Sequence, residues 1–196
     1  GEHDELPYSE DAPLIGRHPY DVSKSCADLI AQAYAKTYQL PVCVTRFGNL
    51  FGAGDGNYDR LIPGTVRSII RNEPPVIRSN GQFSRDYIYV EDAAQGYLIL
   101  AEQMTLDHSL HGEAFNFSYE LPQTAEDVVN RIIELMDRND LQPTVLGTAI
   151  NEIPHQFLSA SKARKKLGWT PRFNFDEGLK RTIAWYVKQL TSEASA

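Results

Sequence analysis

The sequence is poor in cysteine, and its 19 lysines and arginines are outnumbered by 26 acidic residues. Its 196 residues include two cysteines, Cys26 and Cys43, with no metal-ligand spacing between them. We therefore expect no metal site. One cysteine falls in a predicted helix and the other in a predicted strand, so we expect both to be buried free thiols of a cytoplasmic protein.

Long apolar runs are also missing. No stretch approaches the roughly 20 apolar residues that span a bilayer, and the opening residues Gly1–Glu5 are polar and acidic, unlike a secretion signal. The formal net charge of -7 argues against nonspecific nucleic-acid binding, which needs a basic surface. We expect neither a membrane nor a nucleic-acid partner. A small anionic ligand is compatible with this charge if arginines gather locally.

A glycine-rich dinucleotide turn is the third absence. No Gly-x-Gly-x-x-Gly segment stands between a predicted strand and a predicted helix. Such a turn lets the backbone approach a pyrophosphate at a helix N-terminus. The part of a dinucleotide site that depends on it is therefore not expected in this chain.

The order of the predicted elements indicates an α/β fold. A helix from about Tyr20 to Tyr38, free of Gly and Pro, precedes an apolar strand at Val42–Phe47. Residues 48–57 form a glycine-rich loop, and Asn80-Gly81 indicates a hairpin turn. Further helices are predicted at about Leu61–Arg71, Glu91–Met104, Thr124–Arg138, Ser161–Leu167 and Asp176–Leu190, and further strands at Val76–Arg78, Asp86–Val90 and Ala114–Ser118.

Tyr20 and Lys24 form the most informative local pattern. Residues four apart share one face of a helix. An ammonium held there favours the phenolate over the phenol, so the tyrosine can exchange a proton with a substrate hydroxyl near neutral pH. The spacing alone is common, and it gains weight only from its surroundings.

Several motifs follow one another in a recognisable order. They are Tyr20-x-x-x-Lys24, Arg46–Gly52, Arg60–Pro63, Arg85–Asp92, Phe115–Phe117 and Leu167-Gly168-Trp169-x-Pro171. In this order they closely resemble the C-terminal two-thirds of extended short-chain dehydrogenases/reductases that act on nucleotide sugars. The most similar branch is that of the CDP-glucose 4,6-dehydratases, on the segments His18–Leu29, Gly54-Asp55, Ile77–Ser79 and Glu152–Gln156.

The resemblance implies a reaction. Tyr20 would be the acid/base at the sugar O4, and Lys24 would hold the nicotinamide ribose, so both would also contact the cofactor NAD. A hydride would leave C4, water would be lost across C5 and C6, and the hydride would return to C6. The product would be a 4-keto-6-deoxy sugar on its nucleotide, and the protein would position the cofactor and time the protons.

The resemblance also implies an architecture, namely the C-terminal part of a Rossmann-type doubly wound parallel sheet plus a smaller α/β substrate-binding lobe. Residues 1–52 would belong to the NAD-binding domain, with 86–118 returning to it. Residues 53–85 and 119–196 would form the substrate lobe, packed by the aromatic residues Trp169, Phe173, Phe175, Trp185 and Tyr186. The glycine-rich turn, the Ser/Thr partner of the tyrosine and the acidic dehydration residues would lie upstream of this segment.

The side chains that the resemblance assigns to the nucleotide sugar are Asn49, Arg60, Arg78, Arg85, Asn116 and His155. Each of the three that are not arginines has a structural alternative. Asn49 also suits a turn in the glycine-rich loop, Asn116 also suits capping of its own backbone at a strand end, and His155 also suits a structural role.

The arginines also have either a ligand-binding or a structural role. Arg85 directly precedes a predicted strand, and a guanidinium can grip a diphosphate with two parallel hydrogen bonds. Its alternative is a surface ion pair with Asp86 or Glu91. Arg46 is expected to be a structural ion-pair residue at a strand end. Arg78 stands where related dTDP-sugar enzymes often carry Tyr. We therefore expect this chain to differ from those enzymes in how it recognises the nucleotide base.

Two rival functions stay open. A nucleotide-sugar 4-epimerase or decarboxylase uses the same Tyr and Lys, and a non-catalytic sugar-nucleotide-binding protein can keep the same fold. We expect the 196 residues alone to be inactive, and the full-length protein to be a homodimer. Tyr34 and Tyr38 belong either to its helix-pair interface or to the core.

Overall fold

The computed structural model describes residues 1–150 and 152–193. The helices are α1 (Pro19–Tyr38), α2 (Leu61–Ile70), α3 (Val90–Leu106), α4 (Ala125–Leu135), α5 (Ser161–Leu167) and α6 (Phe175–Glu193). The strands are β1 (Val44–Phe47), β2 (Asn49–Phe51), β3 (Val76–Ile77), β4 (Ser84–Tyr89), β5 (Ala114–Phe117), β6 (Pro122–Thr124), β7 (Thr144–Val145) and β8 (His155–Gln156). Each helix predicted from the sequence is present within a few residues of its expected bounds.

Local sequence explains where two of the helices begin or end. The Thr124 side chain accepts a hydrogen bond from the Asp127 amide, and the Asp127 carboxylate accepts one from the Thr124 amide. This reciprocal capping box starts α4. Gly168 ends α5 in the left-handed region, with φ +66°, which glycine adopts without steric cost.

The strand pairings are mostly parallel, as an α/β fold requires. β1 pairs with β5 in parallel, from Val44 opposite Ala114 to Phe47 opposite Phe117. β2 pairs with β4 in parallel. β4 also pairs with β6 in antiparallel and with β8 in parallel orientation. The expected α/β class with parallel strands is confirmed.

The predicted hairpin at Asn80-Gly81 is wrong. Gly81 does turn the chain with φ +84°, but the strands before and after it belong to different sheets. β3 pairs in parallel with β7, where the Leu146 amide donates to the Ile77 carbonyl at 2.8 Å. The hydrogen-bonding groups of β3 are thus used by a segment almost 70 residues later.

Two apolar clusters form the core, and β4 contributes to both. Side chains alternate across a strand, so Tyr87 and Tyr89 enter one cluster, with residues of α2, α4 and α6. Ile88 enters the other, with residues of α3, β5 and α5. Trp169, expected in the substrate lobe, packs in this second cluster, where its ring lies edge-on to Phe117. The division into a cofactor domain and a substrate lobe stays a prediction.

The cysteine expectation is half wrong. Cys26 is exposed, because α1 buries only Asp28 and Ala35. Cys43 is half-buried, its thiol donates to the Leu110 carbonyl at 2.9 Å, and burial raises its pKa. Within the described ranges, no helix is both long and apolar enough to cross a membrane.

Candidate active site

A cleft of about 700 Å³ lies beside the N-terminal half of α1 and the carboxyl end of β1. This is the edge of a parallel sheet at which ligands usually bind. α1, the segment from β1 to β2, the start of α2 and β4 all contribute to its walls. Its polar lining includes Tyr20, Lys24, Asp28, Arg46, Asn49, Arg60, Arg85, Asp86 and Tyr87.

A second cleft of about 560 Å³ adjoins the first. The two share Asn49, Arg60, Arg85 and Tyr87 in their walls. The second cleft adds Arg78 from the end of β3. Together they form one continuous groove, with the Tyr and Lys of α1 at one end and arginines along its middle and far end.

Tyr20 and Lys24 lie on one face of α1 as the spacing predicts. The Lys24 ammonium is 5.7 Å from the centroid of the Tyr20 ring, and the Tyr20 side chain is 71% exposed. Among the residues that the structure describes, neither the phenol nor the ammonium has a hydrogen-bond partner. Both polar groups are therefore free to meet a ligand.

Arg85 is held in place by several contacts. Its side chain is only 17% exposed. It donates to the Ser84 carbonyl at 2.9 Å and the Pro154 carbonyl at 3.3 Å, and it lies 3.5 Å from the Glu152 carboxylate. The alternative of an ion pair with Asp86 or Glu91 is not what forms. The backbone contacts fix the guanidinium while part of its fork faces both clefts.

Arg60 and Arg78 are exposed at the groove rim. Arg60 pairs with Asp55 at 3.0 Å, and Arg78 pairs with Asp59 at 2.6 Å. Each guanidinium side chain is more than 60% exposed, so these pairs contribute little to stability. Both guanidinium groups therefore remain accessible to solvent beside a weakly bound carboxylate.

Burial shifts the ionisation of two neighbours on β4. It raises the pKa of Tyr87 to about 12, against the opposing effects of the nearby Arg85 charge and a contact with the Asn49 side chain. It raises the pKa of Asp86 to about 6. The Ser118 hydroxyl acts in the opposite direction, but neither Asp86 oxygen reaches a hydrogen bond of normal geometry among the described residues.

Two of the predicted site residues do not line the groove. Asn116 is buried, and its side-chain amide donates to the Tyr8 carbonyl at 2.9 Å, so it holds the segment before α1 rather than its own backbone. His155 is exposed in β8, with Nδ1 2.9 Å from the Ser84 hydroxyl, and only its neighbour Gln156 reaches the cleft. Packing of chain segments distant in sequence decides both positions.

Sequence reasoning missed the partner of Arg46. The Arg46 Nε donates to Asp28 at 2.7 Å, which confirms the expected ion pair. Asp28 stands four residues after Lys24 on the same helix face, and this spacing was the available signal. Glu152, the partner of Arg85, lies in the Glu152–Gln156 segment that carries part of the resemblance, but no spacing in the sequence predicts its pairing with Arg85.

Comparison with known proteins gives a consistent result. Residues 1–182 match the profile of the family described as GDP-mannose 4,6 dehydratase. The chain is 31% identical over 198 residues to a CDP-glucose 4,6-dehydratase from Salmonella typhimurium, covering 95% of this chain and 55% of that protein. The chain thus spans about half the length of the curated relatives that it matches.

Solved structures agree in fold. A dTDP-glucose 4,6-dehydratase from Bacillus anthracis, solved in complex with NAD, superposes with TM-score 0.83 at 29% identity, covering 95% of this chain and 57% of the other. A UDP-N-acetylglucosamine 4-epimerase from Methanobrevibacter ruminantium, in complex with UDP-N-acetylmuramic acid, gives TM-score 0.85 at 25% identity, covering 96% and 60%. Both dehydratases and epimerases share this arrangement.

Proposed function

Because the chain belongs to the GDP-mannose 4,6 dehydratase family, we propose that it supplies the acid–base pair and the substrate-binding side of an NAD-dependent nucleotide-sugar 4,6-dehydratase. CDP-glucose is the substrate that we propose, and CDP-4-keto-6-deoxyglucose the product. The similarity to a CDP-glucose 4,6-dehydratase supports this choice. The enzyme would be a lyase and would act as a homodimer, with the exposed tyrosines Tyr34 and Tyr38 of α1 in the interface.

One observation supports the proposal best. Tyr20 and Lys24 border the same groove as Asn49, Arg60 and Arg85. A nucleotide sugar presents a diphosphate and a sugar hydroxyl a few ångströms apart. In this groove a fixed guanidinium can bind the diphosphate, and a free phenol can exchange a proton with the hydroxyl. A binding protein needs the arginines but gains nothing from the phenol–ammonium pair.

In the proposed site each group has one task. Arg85 and Arg60 bind the diphosphate, and the Asn49 amide donates to a phosphate oxygen. The Tyr20 hydroxyl exchanges a proton with the sugar O4, while the Lys24 ammonium stabilises the phenolate. Those two side chains are also the ones that would hold NAD, and they fit it because both are exposed and lack other partners. When bound, NAD supplies the oxidation and reduction.

An enzyme assay on the full-length protein that contains these residues tests the reaction. The protein is incubated with NAD and, in separate samples, with CDP-glucose, dTDP-glucose, UDP-glucose and GDP-mannose. A 4-keto-6-deoxy product from CDP-glucose supports the proposal. A C4 epimer instead would favour the epimerase alternative, for which the epimerase structure at 25% identity is the specific observation. Binding without any product would refute an enzyme.

The affinity for CDP-glucose tests whether Arg85 binds the diphosphate in the groove. We expect Arg85→Ala to raise the Kd for CDP-glucose about 10- to 150-fold, because a hydrogen bond to a charged group contributes about 1.5–3 kcal/mol. The matched control is Arg131→Ala, which removes an arginine paired with Asp176 away from both clefts. Titration calorimetry gives both constants. An equal Kd for the two variants would refute the assignment of the diphosphate to Arg85.

A further inference from the structure

α1 carries the proposed base, yet it has little apolar anchorage. The buried residues of the helix are Asp28 and Ala35. Ala35 lies near the C-terminal end of α1, so Asp28 is the buried residue nearest to Tyr20 and Lys24. A helix that lacks a wide buried face has no strong packing preference for its rotation about its own axis. Within this chain, the hydrogen bonds of Asp28 are therefore a main constraint on the direction in which Tyr20 and Lys24 point.

Arg46 holds Asp28. Its Nε donates to Asp28 Oδ2 at 2.7 Å, and the Gln32 side chain donates to the other carboxylate oxygen at 2.6 Å. The side chains of Asp28 and Arg46 are 8% and 18% exposed. At this burial the attraction is screened less than at the surface, and an unpaired partner is costly.

The same guanidinium also holds the segment that leads into α1. A terminal nitrogen of Arg46 donates to the Glu10 carbonyl at 3.0 Å. The Glu10 carboxylate accepts a hydrogen bond from the backbone N–H of Asn116 in β5 at 2.7 Å. The side-chain NH2 of Asn116 donates to the Tyr8 carbonyl. One connected network thus joins β5, the pre-helix segment, β1 and α1.

We propose that Arg46 is a positioning residue that sets the Tyr20–Lys24 face of α1 towards the groove, acting through Asp28 and Glu10. The inference rests on the proposed function for the role of Tyr20. Asp28 follows Lys24 by four residues and Tyr20 by eight, so the three lie near one helix face. Fixing Asp28 against β1 fixes the direction of the other two. Arginine suits this task because its planar fork donates in two directions at once.

Asp28→Asn and Arg46→Lys test the network, with Asp176→Asn as the matched control. Asp28→Asn keeps the side-chain volume and removes the charge, and the control does the same in a different Arg–Asp pair outside the groove. Hydrogen exchange followed by mass spectrometry reports on α1 without any need for activity. We expect on the order of tenfold faster exchange of α1 amides in Asp28→Asn, and a smaller increase in Arg46→Lys, which retains the charge. The control should leave α1 exchange unchanged.

Kinetics then separates positioning from substrate contact. In the polypeptide that turns over the nucleotide sugar, we expect kcat to fall about 10- to 100-fold in Asp28→Asn. The Kd for CDP-glucose should change less than about twofold, since the diphosphate contacts are on other elements. The control should leave both constants unchanged.

Three results would overturn the inference. Unchanged α1 exchange in both network variants would show that the pair does not anchor the helix. Faster exchange with unchanged kcat would show that the anchor does not position the base. A raised Kd with unchanged kcat would make Arg46 a substrate contact. If the wild-type polypeptide forms no product from any nucleotide sugar, the proposed function fails, and the exchange data alone decide whether Arg46 anchors α1.

Discussion

Asp86 should make the stability of this protein fall as the pH rises through the weakly acidic range. Its carboxyl ionises with a pKa of 3.8 when unperturbed, and burial raises this pKa to about 6 in the folded chain. Between those values the folded state binds more protons than the unfolded state. The contribution of Asp86 to the free energy of unfolding therefore decreases with increasing pH.

The magnitude follows from the shift. About two pKa units, at 1.36 kcal/mol each, give a cost of about 3 kcal/mol once the folded carboxyl is fully ionised. The same relation gives a cost of about 1 kcal/mol at pH 4.5 and about 3 kcal/mol at pH 7.5. Asp86→Asn removes the ionisation and keeps the shape. We expect its stability relative to the wild type to rise by about 2 kcal/mol between these two pH values.

Urea unfolding, followed by the fluorescence of the two tryptophans, of which Trp169 is fully buried, measures this difference. Asp59→Asn is the control, because the Asp59 side chain is 76% exposed, and we expect a much smaller trend with pH. The reasoning is refuted if the advantage of Asp86→Asn over the wild type changes by less than about 0.5 kcal/mol from pH 4.5 to 7.5, the usual scatter of surface substitutions.

Two further predictions concern α1 and α4. Tyr20→Phe should lower kcat about 10²–10⁴-fold in steady-state assays of 4-keto product and leave the Kd for the nucleotide sugar nearly unchanged, because only the proton-transferring hydroxyl is lost. Turnover like that of Tyr34→Phe, an exposed tyrosine on the same helix, would show that Tyr20 is not the base. Thr124→Ala removes the capping box of α4 and should cost about 1 kcal/mol in urea unfolding. The same loss in Thr105→Ala, an exposed threonine of α3, would contradict a capping effect.

The sequence was sufficient where a property depends on neighbours along the chain. The α1 pair Tyr20 and Lys24 follows from helix geometry. Arg85 was expected just before a strand, and it lies in β4, one residue inside the strand, where it lines the groove. Helix ends such as Gly168 follow from backbone preferences. These features involve residues within a turn or a strand of one another, so pattern and structure agree.

The rest depended on contacts between distant segments. Asn116 was expected near the ligand, but its side-chain NH2 donates to the Tyr8 carbonyl and its backbone N–H to the Glu10 carboxylate, both more than 100 residues away. The turn at Gly81 is real, yet β3 pairs with β7 instead of β4. Cys26, which was expected to be buried because it falls in a helix, is exposed because α1 packs through few residues. None of these outcomes has a local signal.

β4 has a consequence for how the groove responds to change. Arg85 and Tyr87 line the groove, Tyr87 and Tyr89 enter one apolar cluster, and Ile88 enters the other. β4 is therefore shared by the two apolar clusters, so a change in the packing of either cluster is expected to shift the strand. We expect a conservative core substitution in either cluster to alter the proposed diphosphate position at Arg85, because Tyr87 and Ile88 are only two and three residues along the same strand. On the proposed function, affinity would then depend in part on residues that do not touch the substrate.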